Sequence, residues 1–365
     1  MSIRTPLLSL LALAVLALES QAQLLVAEIA RLDLSVYTAQ DPGGVTFGPF
    51  SGGGFNRVVT NEHPSYIGTN PSAVAWNGLD LWVAGFNGNT VSQSVAIVRV
   101  PSAFQQTAGL TSLELAFGRQ STTPTQRGYS GLDLRQGYLF AAYDPGAVHP
   151  QGITAWTQGG KLRWAKSARG SCGVGFDPGF LPGSGSGTGC GFLAFGANGR
   201  ALQDTVTGAD LFSTGSGMSL LNSQGTFWRD IDFDATSGDA WVREGNNVLR
   251  GVRSGPNSIS SVQLVVDVPD ADFVIGQNIA FCDRSEGSVV VYNDRGFNFS
   301  TSEPFTQAIQ FRRPDGSSPQ VFFFGNPQPA GSGYYDFAWD RATGTLVILD
   351  FTNRQATLYA LGGTP

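Results

Sequence analysis

Three oxygen-bearing side chains stand at one repeated place in the chain and could act together: Asp230, Asn278 and Asp336. Each lies three residues before a large apolar residue that ends an extended run, namely Phe233, Phe281 and Trp339. Equal offsets in repeated strands carry side chains to equal heights. Three adjacent copies would then aim Asp, Asn and Asp oxygens at one point. Hard cations such as Ca²⁺ take oxygen sets of this kind, and a cation held there could polarise or orient a substrate. The other reading is that these groups hydrogen-bond to neighbouring strands and to water. At the same offset the weaker copies carry Ala73, Gly131 and Gly173.

Other reactive residue types are sparse. His63 and His149 are the two histidines, each followed by proline. They are too far apart for a helical metal pair and leave little for a histidine-based triad. Gly183 to Gly187 reads GSGSG, the letters of a nucleophile elbow, but no helix follows, so it reads as a flexible hairpin tip. No phosphate-binding loop, dinucleotide fingerprint or calcium loop occurs. Asn298-Phe299-Ser300 is a formal N-glycosylation triplet.

The elements that must position these residues form a repeat. Arg229 to Val242 reads RDIDFDATSGDAWV. Ile231 and Phe233 alternate with Asp230, Asp232 and Asp234, the period of a strand. Ala235 to Gly238 then make a turn, where Asp234 can cap backbone amides and Gly238 can take positive φ. Trp241 and Val242 resume the strand. Tyr334 to Asp350 and Gln277 to Tyr292 repeat this plan, with Asp340 as another turn cap. Ser72 to Phe86 and Ser130 to Tyr143 are weaker copies, and Cys172 to Phe195 is a copy with a swollen turn.

The end-of-strand anchors are Trp76, Leu134, Phe176, Phe233, Phe281 and Trp339, spaced by 58, 42, 57, 48 and 58 residues. Hairpins at such periods indicate an all-β fold, a β-propeller, with six blades, or seven if residues 24–70 hold a degenerate copy. The last blade has Thr345 to Asp350 and Gln355 to Leu361 after its anchor and needs one more strand. Leu24 to Tyr37 could supply it, closing the ring with N- and C-terminal strands together.

Composition bounds the rest. Residues 1–22 read as a signal peptide: Arg4, a short apolar core from Leu7 to Leu18, and Ser20-Gln21-Ala22 before the cut. No later stretch is long and apolar enough for a membrane span. Residues 23–365 then form a single propeller domain, secreted or periplasmic. The net charge of −6 without a basic stripe argues against a nucleic-acid partner. Cys172 and Cys190 lie on two arms of one hairpin and are the candidate disulfide. If Phe176 pairs near Gly191, however, they sit about 13 Å apart along the strand, beyond disulfide reach. Cys282, just after an anchor, reads as a semi-buried turn residue. Trp76, Trp82, Trp241 and Trp339 fall within hairpins and read as packing between blades. Trp156 and Trp164 flank Gln158-Gly159-Gly160 and are the candidates for exposed aromatics.

The F-D-x-x-[ST]-G-x-x-x-[VI] hairpin, cleanest in Arg229 to Val242 and Tyr334 to Asp350 and next in Gln277 to Tyr292, resembles the blades of secreted bacterial propellers of the broad NHL/TolB-like and gluconolactonase-like group. Gluconolactonase-like members hold a divalent cation at the channel mouth with acidic and amide side chains. The resemblance implies that role for Asp230, Asn278 and Asp336. Two functions follow as expectations. The first is an exported binding or scaffold module for a protein or glycan ligand. The alternative is a metal-dependent hydrolase or lactonase with its site at the channel mouth.

Overall fold

Strand-forming residues fall in short runs broken by Gly, Asn, Asp and Pro, and the backbone follows them. The computed structural model describes residues 24–38, 59–60, 67–87, 95–105, 115–120, 128–135, 137–144, 152–167, 171–178, 190–195, 199–204, 210–213, 228–244, 247–255, 258–267, 278–293, 308–317, 320–323 and 335–362. The signal peptide, His63, His149, the GSGSG run and Asn298 lie outside them.

The chain opens with β1 (Leu25–Asp33) and one helical turn, α1 (Ser35–Thr38), whose Ser35 N–H donates to Asp33 Oδ1 at 2.8 Å. After β2 (Val59–Thr60) come β3 (Asn70–Trp76), β4 (Leu81–Phe86), β5 (Val95–Val100) and β6 (Leu115–Gln120). Next are β7 (Gly128–Arg135), β8 (Tyr138–Asp144), β9 (Gly152–Thr157) and β10 (Leu162–Ser167). Then follow β11 (Ser171–Asp177), β12 (Cys190–Phe195), β13 (Gly199–Asp204) and β14 (Asp210–Ser213). They are succeeded by β15 (Trp228–Phe233), β16 (Ala240–Glu244), β17 (Asn247–Gly255) and β18 (Ser258–Val266). The next run is β19 (Ile279–Cys282), β20 (Val289–Asn293), β21 (Ala308–Arg312) and β22 (Gln320–Phe323). The last is β23 (Tyr335–Asp340), β24 (Thr345–Asp350) and β25 (Gln355–Gly362).

Every strand pair is antiparallel, and the fold is a β-propeller. Among the described residues, pairing groups the strands into four-stranded sets, called here blades 1 to 6 by their inner strands β3, β7, β11, β15, β19 and β23. β1 supplies the outer strand of blade 6, beside β25. Blades 1 and 2 run into one nine-stranded sheet through the pair Phe86 with Gly128, with β2 added beyond β6.

The core sits between blades. In each inner strand the anchor, and the residue two before it, face the preceding blade. Val74 and Trp76 pack with Val347 and Leu349 of blade 6. Leu132 and Leu134 pack against Ala73 and Ala75 of blade 1. Val174 and Phe176 meet Phe140 and Ala142 of blade 2, and Ile279 and Phe281 meet Trp241 of blade 4. The residues one and three before the anchor face the following blade. Blade sheets are thus covered on both faces, so β4 and β20 read as buried runs rather than clean alternation. All six anchors are buried.

A recurring irregularity precedes each turn of phase. The register shifts across Ser72, Ser130, Cys172 and Arg229, four residues before the anchors of blades 1 to 4. A bulge there re-aims the side chains that follow it. Phe176 pairs with Gly191, and Cys190 lies opposite Asp177. The backbone of Cys172 is therefore five residues, about 16 Å, along the strand from that of Cys190.

Three expectations need correction. Trp156 is not exposed: it is fully buried, and its Nε1 donates to Thr154 Oγ1 at 2.7 Å within the same strand. Trp164 is buried too, 6.1 Å from the Phe140 ring. Cys282 is not semi-buried but wholly enclosed at the end of β19, packed with Phe337 and Trp339.

Candidate functional site

An inner strand is a sheet edge, and its outward N–H groups need acceptors. Aspartates supply them here. Asp336 Oδ2 accepts Val74 N–H of blade 1 at 2.7 Å, and the same carboxylate accepts its own neighbour, Phe337 N–H. Asp230 Oδ2 accepts Ile279 N–H of blade 5 at 2.9 Å and also takes Ile231 N–H. Asp232 accepts Phe281 N–H at 2.7 Å on one oxygen and Phe233 N–H at 2.7 Å on the other. Asp133 accepts Phe176 N–H of blade 3, and Leu134 N–H at 2.7 Å. The rule is positional. An Asp three before its anchor caps the residue two before the next anchor, and an Asp one before its anchor caps that next anchor.

The three residues singled out by sequence do come together. Asn278 Nδ2 donates to Asp336 Oδ1 at 2.6 Å, and Asp336 is the strongest charge influence on Asp230. Around them the structure adds Asp133, Asp232 and Arg135. These line the same narrow cavity of about 30 Å³, with Asp230, Asp336, Trp76 and Trp339. That volume admits water-sized species. The signal for the added tier was available, because Asp133 and Asp232 lie one strand period beyond the first tier.

Crowding of carboxyl groups shows in their proton affinities. Burial, and then the neighbouring Asp336 charge, hold Asp230 well above the carboxylate range. Burial pushes Asp336 up to about 7, against the opposing donors Asn278 and Val74 N–H. Asp232 rises to about 7 through burial and the Asp133 charge, with Arg135 opposing. Burial also raises Asp133, again against Arg135. Burial disfavours the Arg135 charge, but Asp133, Asp232, Asp283 and Asp340 outweigh it and raise its pKa.

A pH dependence follows. Unfolded aspartates titrate near 3.9, so between that value and about 7 the folded chain holds protons the unfolded chain has lost. The native state binds more protons in this window, so stability falls as pH rises through it. The melting temperature is expected to drop from about pH 4 to about pH 7. Asp232→Asn should make the slope shallower. An unchanged slope in Asp232→Asn would remove these carboxyls as its source.

No protein-family model matches the chain, and no curated protein is similar to it in sequence. Its likenesses are to solved structures. One is an auxiliary nutrient binding protein from Bacteroides ovatus, 11% identical, aligned over 94% of this chain and 78% of that one, with a TM-score of 0.54. Another is the WD40 beta propeller domain of Doa1, 11% identical over 92% of this chain and 97% of that one, with a TM-score of 0.46. At such identity, the first likeness concerns the fold alone.

The turns at the ends of the inner strands are tightly capped. Asp234 accepts Thr236 N–H at 2.7 Å and Ser237 Oγ at 2.7 Å, and Asp340 accepts Thr343 N–H at 2.8 Å. These aspartates serve as turn caps, as the sequence implies. Among the described residues no helix is long and apolar enough to cross a membrane, and no cluster of three or more His, Cys, Asp or Glu is placed to hold a metal.

Proposed function

We propose that the chain is an exported propeller, with residues 1–22 as its export signal and residues 23–365 as one domain, acting as a binding or scaffold module for a protein or glycan. It would work in a secreted or periplasmic setting. The observation that carries this reading is the use made of the channel. Asp133, Asp230, Asp232 and Asp336 each already accept two backbone donors, and they line a cavity of about 30 Å³. Ligand contact then falls to the loop faces rather than to the axis. The name of the similar solved structure, an auxiliary nutrient binding protein, fits a binding role.

The rival reading is a metal-dependent hydrolase or lactonase of the gluconolactonase-like kind. What favours it is a group of buried carboxyls with raised proton affinity around one cavity. A glycan array and a lactone and ester screen on the purified mature chain separate the two. Saturable glycan or protein binding that survives Asp336→Asn supports the module. Turnover abolished by Asp336→Asn in a folded variant would replace it with the enzyme.

A further inference from the structure

The gluconolactonase-like resemblance implies a divalent cation on Asp230, Asn278 and Asp336, and the donors around these residues allow that fit to be tested. Ca²⁺ needs six to eight oxygens whose lone pairs point at it. Here the lone pairs point at protein N–H groups. Asp336 presents one oxygen to Asn278 Nδ2 and the other to Val74 N–H. Asp230 Oδ2 faces Ile279 N–H. A cation at this point would displace several of these bonds and meet the Asn278 amide hydrogens. It would also strand the edge donors of blades 5 and 1, a cost that each buried N–H makes substantial.

We propose that Asp133, Asp230, Asp232 and Asp336 are blade-to-blade fasteners, and that this use takes the place of the cation site implied by the resemblance. The fasteners alternate around the ring. They join blade 2 to 3, 4 to 5 and 6 to 1. The intervening junctions are made by other means. Blades 1 and 2 share a continuous sheet, and Ser72 Oγ donates to Tyr129 O at 2.6 Å. Blade 3 meets blade 4 at Gly175, where a Cβ would stand 2.6 Å from Ile231 O. Blade 5 meets blade 6 through the Asn278 bond and through Trp339 Nε1 donating to Asp283 Oδ1 at 2.9 Å. Positions one and three before the anchor are Ala73 and Ala75 in blade 1, and Gly173 and Gly175 in blade 3. Those positions carry no side chain able to accept a backbone donor of the next blade. Three fastened pairs of blades, rather than six equal joints, therefore make up the ring.

The test is amide hydrogen exchange with thermal unfolding, on the mature chain in EDTA and in about 5 mM Ca²⁺. A fastener role predicts that Asp232→Ala lowers protection at Phe281 N–H by at least about tenfold, while protection elsewhere in blade 2 stays unchanged. Asp336→Ala should do the same at Val74 N–H. Where an alanine variant does not fold, the asparagine variant carries the test. Its side-chain oxygen can still accept, so protection should persist largely intact. Calcium should leave the melting temperature where EDTA leaves it. A calcium-dependent rise of several degrees that Asp336→Asn abolishes would overturn the proposal. So would unchanged exchange at Phe281 and Val74 in the alanine variants. Glycan or protein binding does not enter either readout, so this assignment and the binding-module reading fail separately.

Discussion

Arg253→Met is expected to destabilise the fold by about 3–5 kcal/mol, the cost of leaving a buried charge without its counterion. Arg253 Nη1 lies 2.9 Å from both oxygens of Asp177, and the two side chains are 4% and 1% exposed. Asp177 ends the inner strand of blade 3, while Arg253 sits in β17 of blade 4, so the pair crosses a junction that has no aspartate fastener. Arg253 is further held in place by its own N–H, which donates to Asp239 Oδ1 at 2.8 Å. Neither charge reaches solvent, so water cannot replace the lost partner. The double variant Asp177→Leu/Arg253→Met should recover much of the loss, because two apolar groups remove the buried charge altogether. Urea unfolding of the single and double variants measures both. A single-variant loss below about 1 kcal/mol would mean that the pair behaves like a surface salt bridge.

Trp241→Ala should cost about 3–5 kcal/mol, as truncations of large buried aromatics do. Trp241 is 1% exposed and stacks on Phe281 of blade 5 with ring centroids 5.1 Å apart and planes 15° apart. On its other side Arg250 stands 5.7 Å over the ring, fixed by bonds of 2.8 and 2.5 Å to Asp239 Oδ2. The alanine variant loses packing across the blade 4–5 junction and leaves the arginine without its apolar rest. Trp241→Phe should keep well over half of the stability at stake. The same assembly recurs in blade 1, where Arg99 sits 5.6 Å over Trp82 and bonds Asp80 at 2.9 Å. A denaturant midpoint for Trp241→Ala within error of the unsubstituted protein would show that the junction repacks without this ring.

This twin assembly marks what a linear reading could and could not see. Asp80-Leu81-Trp82 and Asp239-Ala240-Trp241 share a pattern, but their arginines follow at different distances, Arg99 and Arg250. Only cross-strand register brings Arg99 opposite Trp82 and Arg250 opposite Trp241. Local features fared better. The anchors, the capped turns and the pairing of Phe176 with Gly191 depend on residues close in sequence, and they were legible. β24 has the bounds that the Thr345 to Asp350 run suggests. The meeting of Asp230, Asn278 and Asp336 was also legible, because equal offsets in equal strands dictate it.

Their purpose was harder to read. Whether a carboxylate faces open solvent, a cation or a neighbour's backbone depends on how closely two blades approach, and no single strand carries that information. Asp133 and Asp232 went unassigned because only two of the six blades have an acid at that offset. Trp156 and Trp164 looked like surface residues from their place beside a turn. Yet exposure there falls on Gly159, Lys161 and Arg163, and Thr154 gives the Trp156 indole a partner within its own strand. A short-range hydrogen bond of that kind lets a polar ring be buried at little cost.

The pairing of β1 with β25 sets the order of events in the life of the chain. Leu25 lies opposite Gly362, so β1 waits for β25. Bringing together ends 337 residues apart costs about 5 kcal/mol of chain entropy, less whatever the intervening blades have already ordered. Blades 1 to 5 can collapse one after another through local hairpins, whereas β1 stays without a partner until β25 has been made. During that interval a nine-residue strand bearing the exposed Leu25 and Ile29 has no hydrogen-bonding partner. It is the segment most open to pairing with a wrong chain. A chain kept from pairing until β25 is present avoids that hazard.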